Sequence, residues 1–150
     1  DRGFKVSNGP AINEKLNQLY FSDSFNSSLY QYNLKTLKKN IIFKFNKKIG
    51  FPDGIALDNQ NGLWVAHWAG SQVSRINLLT KKIDFSIKIP ALNVTSVTFV
   101  GKKLNHLFVT TAKFDTTKTQ LKHYIHSGSA FIIKTNYKGM KIRYSNLKTI

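Results

Sequence analysis

The stretch that decides the fold is residues 63–89, which read LWVAHWAGSQVSRINLLTKKIDFSIKI. It holds three strand-like segments, at 63–66, 73–78 and 83–89, separated by short polar turns. The last segment alternates apolar and polar residues with a period of two, which is typical of a strand with one buried face. No window of the chain shows a convincing apolar period of 3.6 residues, as an amphipathic helix would. The stretch therefore predicts consecutive antiparallel strands.

The same pattern recurs along the chain with a period of 44 residues. The apolar tetrads begin at Leu19, Leu63 and Leu107, and each follows a further strand-like segment. Four short strands repeating at this period are typical of β-propeller blades. We therefore predict an all-β protein, a β-propeller with three four-stranded blades, and the constant phase disfavours a β-sandwich of similar strand count.

The repeat also predicts where each blade lies. The blades are expected at residues 8–46, 53–89 and 95–144, and the last strands of these blades are expected at 41–45, 83–89 and 140–144. The third blade carries an inserted loop at 113–126. Three blades do not close a ring, because propellers contain about 4 to 8 of them. We therefore expect the chain to be part of a longer protein, or to close a ring by association.

Composition excludes several functional classes. The 150 residues include 23 Lys+Arg against 7 Asp+Glu, a net charge of +16, and no cysteine. The absence of cysteine excludes disulfides, thiolate metal sites and a cysteine nucleophile. The lysines are scattered in pairs at predicted turns and only three of the basic residues are arginine, which favours a solvated surface over a nucleic-acid site. A basic anion-binding protein remains an alternative.

No segment has the length and apolarity of a transmembrane helix or of a secretory signal. We therefore expect a soluble protein with no nucleic-acid or membrane partner, and the sequence favours a cytoplasmic over a secreted location.

The starts of the three predicted innermost strands are the candidate site, because these positions converge on the axis of a propeller. Asn8-Gly9, Asp53-Gly54 and Thr95-Ser96 stand there. Amide and carboxylate oxygens are hard ligands that suit Ca²⁺, Mg²⁺ or Mn²⁺ and are acceptable to Zn²⁺. Asn-Gly and Asp-Gly are also ordinary turn dipeptides. Spacing alone leaves both readings open.

Several ordered motifs carry a family resemblance. They are VSNGPA at 6–11, LYFSDS at 19–24, PDGIALD at 52–58, GLWVA at 62–66 and LFVTTA at 107–112. Together they resemble the C-terminal half of the SMP-30/gluconolactonase/LRE family, the regucalcin-like sugar lactone lactonases. The resemblance covers roughly residues 3–140.

The resemblance implies a six-bladed ring, of which this chain would form half, with one divalent metal ion (Ca²⁺, Zn²⁺ or Mn²⁺) on the axis. Such enzymes hydrolyse the lactones of sugar acids. The resemblance makes Asn8 and Asp53 metal ligands, and Asp53 also the general base that activates water. The Glu ligand that the family takes from its first blade has no counterpart, because Glu14, the only glutamate, lies in a predicted turn.

We therefore expect a sugar lactone as substrate and, as partner, an N-terminal half-propeller or a second copy of the chain. The alternative is an inactive split or degraded propeller that serves as a binding or assembly module.

Four other residues are predicted to be structural. His67 ends a strand and is expected to form a hydrogen bond, and Asp23 is expected to accept amide protons from a turn. Trp64 and Trp68 are expected to pack between blades. The remaining histidines, at 106, 123 and 126, show no metal-ligand spacing.

Overall fold

The computed structural model describes residues 1–141, which fold into three antiparallel sheets in sequence order. The first contains β1 (Ser7–Asn13), β2 (Gln18–Asp23), β3 (Ser28–Asn33) and β4 (Lys39–Lys44). The second contains β5 (Phe51–Leu57), β6 (Gly62–Trp68), β7 (Gln72–Asn77) and β8 (Lys82–Lys88). The third contains β9 (Asn93–Val100), β10 (His106–Ala112) and β11 (Ala130–Lys134). Each strand pairs with its neighbour in the chain, which confirms the predicted all-β, partial-propeller class.

The sheets pack face to face, with an apolar layer at each junction. Between the first two sheets, Tyr20 and Leu29 are buried with Leu63 and Val65. Between the second and third, Trp64 meets the edge of Phe99 with ring centroids 5.9 Å apart. Each such side chain contributes about 1.5–3 kcal/mol when fully buried. Packing of Trp64 between blades is thereby confirmed, and the innermost strand β5 lies between β1 and β9.

The end of the third sheet differs from the prediction. A fourth strand was expected at 140–144, but Met140 is not in a strand, and its amide donates to the Leu57 carbonyl at 3.1 Å. Gly139 forms an isolated bridge with Asp58, so this segment returns to the second sheet rather than pairing with β11. A side chain at Gly139 would clash with Phe99, which shows how closely the segment packs. Residues 142–144 lie outside the described residues.

The inserted loop at 113–126 contains a short helix, α1 (Lys118–His123). Thr117 and Gln120 form a capping box at its start, and none of its residues is buried. The helix therefore rests on local hydrogen bonds, which explains why apolar periodicity does not reveal it. Across residues 1–141, no helix is both long and apolar enough to cross a bilayer.

Asp58 organises the turn between β5 and β6. Its carboxylate accepts hydrogen bonds from the Gly62 amide at 2.8 Å, from Trp64 Nε1 at 2.9 Å and from Arg75 Nε at 2.6 Å. Burial would raise the pKa of Asp58, but these donors and the Gln60 amide hold it below its usual value. Both side chains of the Asp58–Arg75 pair are almost inaccessible to solvent. The turn is thus fixed to β7 by a buried ion pair.

Candidate functional site

All three innermost strands carry a β-bulge near the end at which they begin. One extra residue stands between Asn8 and Ala11 in β1, between Pro52 and Ile55 in β5, and between Val94 and Ser96 in β9. These bulges coincide with the dipeptides that the repeat singled out. A bulge re-aims side chains and is over-represented beside active sites. The candidate residues therefore stand at one end of three adjacent strands, on backbone that departs from the regular pleat.

Two hydrogen bonds through Ser24 link Asn8 to the peptide that precedes Asp53. Asn8 Nδ2 donates to Ser24 Oγ at 2.8 Å, and Ser24 Oγ donates to the Pro52 carbonyl at 2.6 Å. A second hydroxyl, Ser22 Oγ, donates to the carbonyl of Asp53 at 2.9 Å. The first two blades are thus joined at the candidate site by serines at the end of β2. Ser22 and Ser24 belong to the motif LYFSDS, and nothing in the sequence alone assigns them this linking role.

Asp23, between those serines, has the structural role expected of it. Its carboxylate accepts the amide protons of Lys5 and Val6, both at 3.0 Å, and so ties the segment before β1 to the end of β2. Burial by itself would raise the pKa of Asp23, but these hydrogen bonds and those from Asn26 lower it below its usual value. Two backbone amides and the Asn26 side chain donate to this carboxylate, so it is not a candidate ligand.

The pKa of the Asp53 carboxyl is shifted in the opposite direction from that of Asp23. Burial raises its pKa to about 6, although the Gly54 amide hydrogen bond acts in the opposite direction. None of the ion pairs found within residues 1–141 involves Asp53. An ionised carboxylate without a cationic neighbour is costly in a partly buried position. A bound cation would offset that cost.

Asn8 presents its oxygen in a compatible way. Because Nδ2 is held by Ser24, Oδ1 is the atom of this amide left to bind a cation. In the part of the chain that the structure describes, no three His, Cys, Asp or Glu side chains cluster as a metal site. Asn8 and Asp53 thus offer two oxygen ligands and not a complete coordination shell.

The two glycines of the site serve different purposes. Gly9 has φ +99°, which only glycine adopts readily, and it lies against Ile55 of the next blade. A side chain at Gly54 would clash with Ser96, so the absence of a side chain lets β5 and β9 approach each other. In the third blade, Thr95 Oγ1 forms a 2.7 Å hydrogen bond with Thr110 Oγ1. Thr95 is therefore occupied across its own sheet.

His67 lies in the core rather than in the site. Its side chain is fully buried, Nε2 lies 2.6 Å from Ser74 Oγ, and the ring meets the edge of Phe45 at 5.3 Å. These contacts confirm the predicted hydrogen-bonding role. Burial, and secondarily the charge of Lys88, lowers the pKa of His67 to about 4. The folded protein therefore holds His67 neutral.

This burial predicts loss of stability in acid. The unfolded chain protonates His67 below about pH 6.5, whereas the folded chain resists protonation until about pH 4. The free energy of unfolding should fall by about 3 kcal/mol through that window because of this residue. Between pH 7 and pH 4.5, the free energy of unfolding measured in urea should fall by about 2–3 kcal/mol more in the wild type than in His67→Gln, which retains every other titrating group, including Asp53. His106→Gln, the matched control, should behave like the wild type, and parallel pH profiles for His67→Gln and the wild type would contradict the prediction.

The structure is a partial β-propeller with the polar side chains of Asn8 and Asp53 near the starts of two inner strands. The pattern described as the SMP-30/Gluconolactonase/LRE-like region matches residues 1–113. The chain belongs to that family.

Two sequence relatives are similar over most of this chain. The "Putative sugar lactone lactonase YvrE" of Bacillus subtilis is 31% identical over 84% of the chain, and the "Regucalcin" of Danio rerio is 32% identical over 75%. The chain spans 45% and 40% of their lengths, respectively. It is thus similar to somewhat less than half of each relative.

Solved structures show the same partial coverage. A luciferin-regenerating enzyme is 28% identical, with a TM-score of 0.79 over 91% of this chain and 48% of its own. A structure titled as a calcium-binding protein, regucalcin, from Agrobacterium tumefaciens has a TM-score of 0.82 with the same coverages and 20% identity, a similarity that concerns the fold alone.

Proposed function

We propose that this chain forms part of a divalent-metal-dependent lactonase that hydrolyses sugar-acid lactones. The observation that carries the proposal is Asp53, a partly buried carboxyl on a bulge of the innermost strand, tied through Ser24 to Asn8. The similarity to a protein named as a putative sugar lactone lactonase supports the same chemistry.

The residues present fit one cation as two of its ligands. Asp53 would supply a carboxylate oxygen and Asn8 its Oδ1, a donor set that suits Ca²⁺ or Mn²⁺ and is acceptable to Zn²⁺. A bound divalent ion would polarise the lactone carbonyl and stabilise the charge that develops on its oxygen. The remaining ligands would come from a second half-propeller, either an N-terminal half or a second copy of the chain.

Asp53 would also act as the general base. Its carboxylate, ionised beside a bound cation, can take a proton from the attacking water. The water oxygen then bonds to the carbonyl carbon, the ring C–O bond breaks, and the ring oxygen leaves as a hydroxyl group after it gains a proton. Ser22 and Ser24 position this base through the backbone on either side of it.

Two observations favour a non-catalytic role. The residues described contain only part of a coordination shell, and the chain spans less than half of its curated relatives. A binding or assembly module would need no complete metal site.

The test is hydrolysis of a panel of sugar lactones with added Ca²⁺, Mn²⁺ or Zn²⁺, for the chain alone and joined to an N-terminal half from the family. We expect the joined form to be active and EDTA to abolish that activity. Calorimetric titration of each metal provides a readout independent of turnover. Absence of activity in both forms, with metal bound equally well by Asp53→Ala, would overturn the proposal, and normal metal binding without hydrolysis would favour the module.

A further inference from the structure

The Ser24 hydroxyl lies between one candidate ligand and the backbone beside the other. Ser24 is 6% exposed, and its hydroxyl oxygen is 2.8 Å from Asn8 Nδ2 and 2.6 Å from the Pro52 carbonyl oxygen. Its backbone is fixed from two directions, because its amide donates to the Val6 carbonyl at 2.9 Å and its carbonyl accepts from the Ser27 amide at 3.0 Å. The hydroxyl is therefore held where it bonds to both neighbours at once.

The chemistry of these partners fixes the direction of both hydrogen bonds. A serine hydroxyl has one proton and two lone pairs, and a carbonyl oxygen can only accept. The proton of Ser24 is therefore directed at Pro52. Only lone pairs are left towards Asn8, so this amide has to present its NH₂ group to Ser24. The opposite orientation of the amide would bring two oxygens together with no proton between them.

We propose that Ser24 is a positioning residue that makes Asn8 an oxygen ligand of the metal. The Pro52 carbonyl directs the hydroxyl proton, and the hydroxyl in turn selects the end of the amide that stays available. Among residues 1–141, the Asn8 side chain is bonded through Nδ2, and Oδ1 accepts no hydrogen bond. An amide NH₂ group offers no lone pair to a cation, so a reversed amide would contribute nothing to the site. This inference rests on the proposed metal-dependent function and adds the residue that sets the orientation of one ligand.

Ser22 provides a matched comparison on the same strand. It is fully buried, and its hydroxyl donates to the carbonyl of Asp53 at 2.9 Å. The two serines thus hold consecutive carbonyls on the bulge of β5, but among the described residues only the Ser24 hydroxyl is bonded to the Asn8 side chain. Ser22→Ala therefore removes a hydroxyl–carbonyl bond of the same kind and leaves the Asn8 amide bound.

The first test needs no metal. In the ¹⁵N-labelled chain in EDTA, the side-chain NH₂ signals of Asn8 are identified by their absence in Asn8→Asp, and their exchange with water is measured by NMR. We expect the proton bonded to Ser24 to exchange about three- to tenfold more slowly than the other proton of that group. Ser24→Ala should remove this difference. Ser22→Ala should retain it, and so should Ser24→Thr, which keeps a hydroxyl.

The second test measures metal binding by the chain joined to an N-terminal half from the family. Ser24→Ala should weaken the binding of Mn²⁺, measured by calorimetry, about three- to tenfold, and Ser24→Thr should stay within about twofold of the wild type. In an Asn8→Ala background, Ser24→Ala should have no further effect, because there is then no amide to orient. A serine that only supported the fold would cost the same affinity in both backgrounds.

Two results would overturn the inference. One is equal exchange of both Asn8 NH₂ protons in the wild type, a result that does not depend on whether any variant folds. The other is an equal loss of Mn²⁺ affinity on Ser24→Ala with and without the Asn8 amide. A protected NH₂ proton in a joined protein that binds no metal would instead contradict the proposed function and leave Ser24 as the residue that orients Asn8.

Discussion

Replacement of Asp53 by asparagine is expected to lower lactone hydrolysis by about 10²- to 10⁴-fold in the chain joined to an N-terminal half. A general base usually contributes a factor of this size. Asparagine keeps the shape of the side chain and an oxygen ligand but cannot accept the proton from water. Its neutral amide also binds a divalent cation more weakly than a carboxylate does. The measurements are kcat with each metal and the Kd of the metal by calorimetry.

The same substitution should make the metal-free chain more stable. The pKa of Asp53 is raised by burial to about 6, so the folded state holds its proton between about pH 4 and pH 6 while the unfolded chain has released it. The stability that this group contributes is therefore present in acid and is lost as the pH rises through 6. At pH 7 the cost should be about 1–2 kcal/mol after allowance for solvent screening, and Asp53→Asn should remove it.

Asp115→Asn provides the control, because it makes the same change of charge at an exposed position in the connection after β10. It should alter neither kcat nor the urea midpoint in EDTA. Unchanged hydrolysis in Asp53→Asn would refute the role of Asp53 as base. A lower urea midpoint for that variant at pH 7 would show that the carboxylate is stabilised in the folded chain.

The second large effect is expected at Asp58. Asp58→Ala removes the acceptor for Gly62, Trp64 and Arg75. Among residues 1–141, it leaves the buried guanidinium with Asp84 as its one remaining ion-pair partner. Breaking a buried ion pair from one side costs about 3–5 kcal/mol. That is a large fraction of the 5–15 kcal/mol that typically stabilises a domain. We expect a fall of the urea midpoint large enough to leave part of the chain unfolded without denaturant, with an early change in the fluorescence of Trp64.

Asp84→Ala measures the contribution of the more exposed ion pair of Arg75, for comparison with the buried pair. Asp84 bonds to the same arginine at 2.6 Å, but its side chain is 34% exposed, so its loss should cost about 1 kcal/mol or less. Equal costs for the two substitutions would show that burial of the Asp58–Arg75 pair does not determine its importance.

The strands were predictable because their signal is local. Alternation in segments such as 83–89 follows from one sheet face meeting the core, and the 44-residue phase reports repeated units of the same size. The end of the third sheet was not predictable in this way. Residue Met140 follows an ordinary apolar pattern, yet its amide bonds to Leu57, more than 80 positions earlier in the chain. The apolar pattern around Met140 does not indicate which distant strand its amide will bond to.

At the site, the sequence located residues but not their surroundings. The repeat and the family motif placed Asn8 and Asp53 at the starts of inner strands, where the structure has them in β1 and β5. Ser24 was missed as a link because its partners come from two different blades.

By itself, the sequence determined the class of fold and its repeat, since these depend on residue type and spacing along the chain, while the choice of Asn8 and Asp53 as candidate ligands came from the family resemblance. The tertiary structure alone decided the direction of each pKa shift, which is upward for Asp53 and downward for Asp23 and Asp58. All three are aspartates near strand ends. Their pKa values differ because the neighbouring sheets give each carboxyl a different set of hydrogen-bond donors and a different degree of burial. Electrostatic interactions act through space, so the pKa depends on residues that are distant in the sequence.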